Sequence, residues 1–387
     1  MTRTLGALAL CAVLAAACGG SAPPPTAATA PGGLIEVLRL RYRRSIVGPL
    51  DRAFRPTERS TPEIDVHGRR VFVGTSDKSL YCLRADDGST LWRFETHAPV
   101  ETEPFYDRRE DALYFASGDG AVYALRGRDG TELWHHDIRL LAQRRPAVTD
   151  DALYYAAGGT SVFAIDRARG ERLWAYRRES PEGFAVEGQA GPALAGRRVY
   201  AGFSDGVVVA LSAIDGALEW ERDTSVDVEE EEGAGAPSID VDTTPIVHGE
   251  LVYVGSVGGG VYALNVSGGG VAWRREDLRG VTGLANRGAT IYAAVTGKGL
   301  LALDGATGQT IWRATLPGGG LSQPVLARGY AYVTSHRDGL FVVRLQDGLV
   351  VQTVEPGRGV FGAPVIVGRR LFFLSNSAVL YALEVAG

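Results

Sequence analysis

A short apolar stretch recurs along the chain with almost constant spacing: Leu80-Tyr81-Cys82-Leu83, Val122-Tyr123-Ala124-Leu125, Val162-Phe163-Ala164-Ile165, Val208-Val209-Ala210-Leu211, Val261-Tyr262-Ala263-Leu264, Leu300-Leu301-Ala302-Leu303, Leu340-Phe341-Val342-Val343 and Leu380-Tyr381-Ala382-Leu383. The third residues of these eight stretches are 42, 40, 46, 53, 39, 40 and 40 positions apart, a period that suits a propeller blade. A second β-rich run precedes each, as at Val71-Phe72-Val73, and a Pro often precedes that, as at Pro62, Pro104, Pro146, Pro192, Pro245, Pro324 and Pro364. After the first seven stretches come a Gly and, four residues later, a Trp: Gly88 and Trp92, Gly130 and Trp134, Gly170 and Trp174, Gly216 and Trp220, Gly269 and Trp273, Gly308 and Trp312, with Gln352 in the Trp place after Gly348. Asp-Gly pairs at 87–88, 129–130, 215–216 and 347–348 supply the positive φ that a tight hairpin needs between a third and a fourth strand. The pattern predicts an all-β fold, an eight-bladed β-propeller of four-stranded antiparallel blades stacked through small Ala and covering Trp residues.

The eighth unit ends too soon, because the sequence stops at Gly387, four residues after Leu383. Leu38-Arg39-Leu40-Arg41-Tyr42-Arg43 alternates apolar with basic residues at period two, as a half-buried outer strand does. Residues 37–46 are therefore expected to pair with the last blade and close the ring, which also hides strand edges. The arginines read as a solvated strand face, with a basic patch for anionic lipid as the alternative.

Composition adds to this in three places. Gly makes up 51 of 387 residues, about 13 per cent against roughly 7 per cent in an average protein, which disfavours a helical bundle. Hydrophobic residues at 45 per cent allow a sizeable core, and a formal charge of −5 argues against a nucleic-acid binder. Three Cys cannot all pair, so no disulfide framework holds the fold.

At the amino end, Arg3 precedes an apolar run from Leu5 to Leu14 and then Ala15-Ala16-Ala17-Cys18, the layout of a charged region, a short apolar region and a small-residue cleavage site. The stretch resembles a bacterial lipoprotein signal, which makes residues 1–17 a signal peptide and Cys18 the lipid-modified first residue of the mature chain. Loss of Arg3 takes the formal charge from −5 to −6. Gly19, where an inner-membrane lipoprotein often carries Asp, implies the outer membrane. Residues 18–33, rich in Ala, Pro, Gly and Thr, read as a flexible tether, and 34–387 as the propeller.

Site chemistry is sparse. Gly297-Lys298-Gly299 lacks the spacing of a phosphate loop, the six His form no metal-binding pair, and Cys82 stands where other repeats carry Ala. No cofactor, metal or catalytic group is assigned. The two long spacings are more informative. They place insertions between Trp174 and Pro192 and between Trp220 and Pro245, both joining the outer strand of one blade to the inner strand of the next. Both should rise from one face, side by side. The first contains Phe184-Ala185-Val186-Glu187-Gly188; the second is acidic, with Asp227, Glu229 to Glu232, Asp240 and Asp242. An apolar anchor rimmed by charge on a rigid scaffold is a common interface plan, so Phe184, Val186, Asp240 and Asp242 are candidate binding residues, while the Glu run reads as a solvated loop.

Ala302-Leu303-Asp304-Gly305-Ala306-Thr307-Gly308-Gln309-Thr310-Ile311-Trp312 resembles the tryptophan-docking repeat of pyrroloquinoline-quinone-type propellers. With the lipid signal, eight blades and length, the chain resembles the propeller lipoprotein family of the outer-membrane β-barrel assembly machinery. Asp240-Val241-Asp242-Thr243-Thr244-Pro245 is similar to that family's motif at the start of its fifth blade, and 184–188 occupies the place of its apolar-x-apolar-Arg-Gly loop. The resemblance implies a non-catalytic, lipid-anchored scaffold facing the periplasm. It implies that Phe184, Val186, Glu187, Asp240 and Asp242 meet the POTRA domains of BamA within the assembly complex, and that nascent outer-membrane proteins are further partners. Glu187 replaces the family's Arg, which is not a conservative change. Two other readings remain open: a Ca²⁺-dependent quinoprotein dehydrogenase on the same fold, and a different propeller lipoprotein that binds another cell-envelope partner.

Overall fold

The computed structural model describes residues 36–47, 58–65, 67, 69–179, 190–227 and 239–386. The signal, the tether, Phe184, Val186 and Glu187 lie outside the described residues. Among those described are eight four-stranded antiparallel sheets. In blade 1 the strands Glu63–Ile64, Arg70–Thr75, Ser79–Arg84 and Thr90–Glu95 follow one another from the axis outward, and six further blades repeat this order.

Blade 8 takes three strands from the carboxyl end, Val365–Val367, Arg370–Leu374 and Val379–Val385, and its outer strand, Leu38–Ser45, from the amino end. Leu38 pairs with Val385 and Ser45 with Val379, with a bulge between Leu40 and Tyr42. The expected closure is thus present.

The apolar core is divided among the seams rather than gathered at one centre. Each of eight buried clusters joins two neighbouring blades, from Phe72, Leu80, Leu113 and Phe115 between blades 1 and 2 to Val71, Tyr81, Phe372 and Leu374 between blades 8 and 1. A two-sided strand explains the sequence pattern: the second and third strands bury both faces, so they read as continuous apolar runs.

The Trp residues fasten these seams on the outside. Each indole N–H donates to a carbonyl of the next blade: Trp92 to Gly127 at 3.0 Å, Trp134 to Arg167 at 3.1 Å, Trp174 to Ala213 at 3.2 Å, Trp220 to Val266 at 2.8 Å, Trp273 to Gly305 at 2.7 Å and Trp312 to Leu345 at 2.9 Å. The ring lies flat on the turn glycine three residues beyond that carbonyl. At Gly130, with φ +74°, a Cβ would stand 2.7 Å from the Trp92 ring, so the backbone conformation and the close approach both require Gly there.

Two seams depart from this rule, and both departures concern the closing strand. Tyr42 takes the Trp role for blade 8, its hydroxyl donating to Ala85 O at 3.0 Å and its ring 2.9 Å from where a Gly88 Cβ would be. Gln352, in the Trp place of blade 7, accepts from the backbone N–H groups of Val37 at 2.8 Å and Leu38 at 2.6 Å, and donates to Leu38 O at 2.8 Å.

Cys82 is fully buried in the seam between blades 1 and 2. Burial pushes its thiol up to about 12, with a smaller opposing pull from Arg70. Native protein treated with iodoacetamide at pH 8 should therefore carry no label on the Cys82 peptide, since the thiolate is the reactive form. Full labelling should follow denaturation, as read by peptide mass spectrometry.

Candidate interaction face

The segments that lead into the inner strands set the geometry of one face. Where a Ser or Thr lies two residues before the Pro, it turns inward and bonds into the blade. Ser60 accepts from Gly74 N at 3.2 Å, Thr102 donates to Ala116 O at 2.8 Å, Thr243 accepts from Gly255 N at 2.7 Å and Ser322 accepts from Thr334 N at 3.0 Å. Because side chains alternate along an extended segment, the flanking residues turn to the axis. Arg59 and Thr61, Glu101 and Glu103, and Asp242 line the axial mouth, joined by Arg144, Phe361 and His336.

This mouth is small, about 100 Å³, room for several waters, and sets charged side chains among apolar ones. Arg144 meets Glu103 at 3.0 Å. The Arg59 guanidinium lies 5.3 Å from the Phe361 ring centre, and Phe361 stacks on His336 at 4.1 Å. Burial holds the His336 imidazole below its ordinary pKa, and the nearby charges of Arg144 and Arg59 add to the effect. His336, in the connection between the strands Tyr330–Thr334 and Leu340–Arg344, is half-buried in the mouth.

Both insertions are rooted on this face, between blades 3 and 4 and between blades 4 and 5. The first leaves at Arg178, whose guanidinium is tied to Asp205 at 3.0 Å and to Glu221 at 2.7 Å, both in blade 4. It returns at Gly191, whose N–H donates to Thr244 Oγ1 at 3.0 Å. Thr244 ends the second insertion, so the two returns are bonded to each other. The second insertion leaves through the turn Ser225–Asp227, where Val226 is 71% exposed. It returns through Val241, which is fully buried, its N–H donating to Phe203 O at 3.0 Å.

Asp240 and Asp242 are therefore separated in role. Asp240 is only 4% exposed, and its carbonyl accepts from Val257 N at 2.8 Å. Asp242 is half-buried and lines the mouth. Sequence reasoning missed Val226, Arg59 and Glu101. The signal for Arg59 and Glu101 is the Ser/Thr-x-Pro repeat, whose alternate positions carry charge in some blades and not in others. Among the described residues, no three His, Cys, Asp or Glu form a metal-binding group.

A closed ring of eight four-stranded blades, docked by Trp on a glycine turn and bearing adjacent insertions on one face, is a β-propeller of the pyrroloquinoline-quinone repeat type. The sequence profile of the outer membrane protein assembly factor BamB family matches residues 48–139, 109–313 and 296–387, and the chain belongs to that family. It is 30% identical over 326 residues to the BamB of Salmonella typhimurium, a match that covers 83% of this chain and 70% of that protein. With BamB of Legionella pneumophila it shares 28% over 206 residues, 52% of each chain. The matched stretch thus spans about half the length of that relative. The crystal structure of BamB from Moraxella catarrhalis superposes with a TM-score of 0.74 at 20% identity, covering 90% of this chain and all of the other. Quinohemoprotein alcohol dehydrogenase from Comamonas testosteroni reaches 0.65 at 13% identity over 92% of this chain and 77% of its own, a likeness of fold.

Proposed function

We propose that the protein is a non-catalytic scaffold in outer-membrane protein assembly, anchored to the outer membrane through Cys18 and facing the periplasm. Its insertion face docks the POTRA domains of BamA, and nascent barrel proteins are handled in that complex. The observation that carries this reading is the bond between Gly191 and Thr244, which fixes the roots of the two insertions side by side next to Asp242 on a closed ring of the BamB family. Phe184 and Val186 supply the apolar anchor, Glu187 and Asp242 the charged rim. Asp240, enclosed at the root, positions the segment. A partner loop that enters the mouth leaves Asp242 facing it, and reversing that charge places two like charges together, which costs several kcal/mol across an interface.

Asp242→Arg should therefore abolish co-purification of BamA from detergent-solubilised outer membranes while leaving circular dichroism and the urea midpoint unchanged. Asp242 is the right position because Asp240, being buried, would disturb the fold when replaced by Arg. Retention of BamA by a folded Asp242→Arg protein would overturn the assignment.

A further inference from the structure

The closing strand Leu38–Ser45 carries four arginines on the outer edge of blade 8. Arg39 meets Glu36 at 3.3 Å and Arg41 meets Glu384 at 2.9 Å, while Arg43 and Arg44 make no ion pair among the described residues. The adjoining turns add Arg369, which shares Glu384 at 3.4 Å, Arg370, which meets Asp86 at 2.8 Å, and Arg84, which stands 3.9 Å from Asp87. Seven guanidinium groups thus gather round four carboxylates. This excess of positive charge sits on a chain whose formal charge is −5. Leu40, on the same strand, is 52% exposed. Exposed leucines also lie on the outer strands of other blades, as at Leu173 and Leu218, so it is the charge that sets this strand apart: Arg172–Arg177 carries two arginines, and Leu218–Asp223 sets Arg222 among Glu219, Glu221 and Asp223.

The direction of the strand gives the patch its place. Leu38 pairs with Val385 and Ser45 with Val379, so the strand begins on the face of the Asp-Gly turns and ends on the face of the insertions. The chain from Cys18 therefore reaches the propeller on the face opposite the insertions. Glu36 lies eighteen positions beyond Cys18, at most about 65 Å of chain. A tether of that length keeps the patch at high effective concentration beside whatever surface holds its other end, and a modest charge excess is then enough to bind.

We infer that the arginine edge of blade 8 is a membrane-contact surface for anionic phospholipid headgroups, which seats the propeller on its rim and leaves the insertion face clear of the lipid. The inference rests on the reading of Cys18 as the anchor and adds an electrostatic second contact to the single lipid attachment. Arg43 and Arg44 are exposed and make no ion pair within 4 Å among the described residues, although Arg44 stands near enough to Asp87 to lower its carboxyl pKa; these are the groups placed to meet phosphates. Arg41 and Arg370 extend the surface towards blade 1, along the groove they line with Tyr42 and Asp86.

The test uses the full chain with Cys18→Ala, so that no acyl chain contributes, and co-sedimentation with vesicles of phosphatidylcholine with or without phosphatidylglycerol. Binding should require phosphatidylglycerol and should disappear when salt shortens the Debye length from about 10 Å to about 3 Å. Each basic residue near an anionic surface contributes about fivefold, so Arg43→Gln with Arg44→Gln should weaken binding roughly 30-fold. The same charge change on blade 3, Arg172→Gln with Arg177→Gln, should leave it unaltered. Equal losses from the two pairs, equal binding to neutral vesicles, or no binding to anionic ones would each overturn the inference. Co-purification of BamA should survive the Arg43 and Arg44 changes, so failure here is distinguishable from failure of the proposed scaffold role.

Discussion

Gln352→Trp should destabilise the protein, although it restores the residue that six other blades carry at that place. A Trp in this position docks on the turn between the third and fourth strands of the following blade. Blade 8 has no such turn, because its fourth strand is Leu38–Ser45 from the other end of the chain. What stands there instead is the start of that strand, with Val37 and Leu38 each about 3% exposed. Its two N–H groups and one carbonyl are satisfied by the Gln352 amide at 2.6 to 2.8 Å. A buried backbone group left without a partner costs about 1–3 kcal/mol. Gln352→Ala strands three, and with partial relief by water the loss should be about 3–5 kcal/mol. Gln352→Trp should lose at least as much, since it removes the same bonds and adds bulk. The urea midpoint of each variant measures the loss. Limited proteolysis should cut first near residues 36–47, where the strand peels from Val379–Val385 and opens the ring. A Gln352→Trp protein as stable as the parent would mean that the amide clasp does not hold the closure.

The repeated parts of this fold were legible because repetition averages out local ambiguity. Eight apolar stretches at one spacing, with Gly and Trp in register, identify blades, turns and seams together. The closing strand was legible from a deficit, three strands in the last unit, combined with period-two alternation at 38–43. The role of Tyr42 as the eighth docking ring was not, since nothing in LRLRYRR distinguishes a seam aromatic from an ordinary strand residue. Gln352 was visible only as a missing Trp; its purpose appears when the two ends of the chain meet. The same limit applies to the candidate site. Asp240 and Asp242 are equivalent in sequence, but the buried Val241 and Thr243 between and after them fix the segment so that Asp242 faces the mouth. Arg59 and Glu101 lead into neighbouring blades, and only the stacking of those blades brings them to one rim.

Asp107→Ala should cost about 3–5 kcal/mol, more than the loss of an exposed ion pair, because it removes the less exposed of two carboxylates that balance a buried cation. Arg167 sits in the turn of blade 3 that receives the Trp134 indole, and its side chain is 5% exposed. The guanidinium reaches back into blade 2. There it pairs with Asp107 and with the half-exposed Glu110 at 3.2 Å, and it donates to Tyr114 Oη at 3.2 Å and to Thr149 O of its own blade at 3.0 Å. Each of its three nitrogens has a partner, so the buried group is well paired. Arg167→Met should cost less than Asp107→Ala: it removes the charge that burial penalises, and Asp107, nearer the surface at 13% side-chain exposure, can rehydrate. Combining Arg167→Met with Asp107→Leu should recover most of the loss, since replacing a buried ion pair by apolar groups of similar volume is often neutral or stabilising. Urea midpoints of Arg167→Met, Asp107→Leu and the variant that combines them complete a cycle, with a coupling of about 2 kcal/mol or more expected for groups in one network. Additive losses in that cycle would show that Arg167 and Asp107 act independently, and that the seam between blades 2 and 3 is held by Trp134 and the apolar cluster alone.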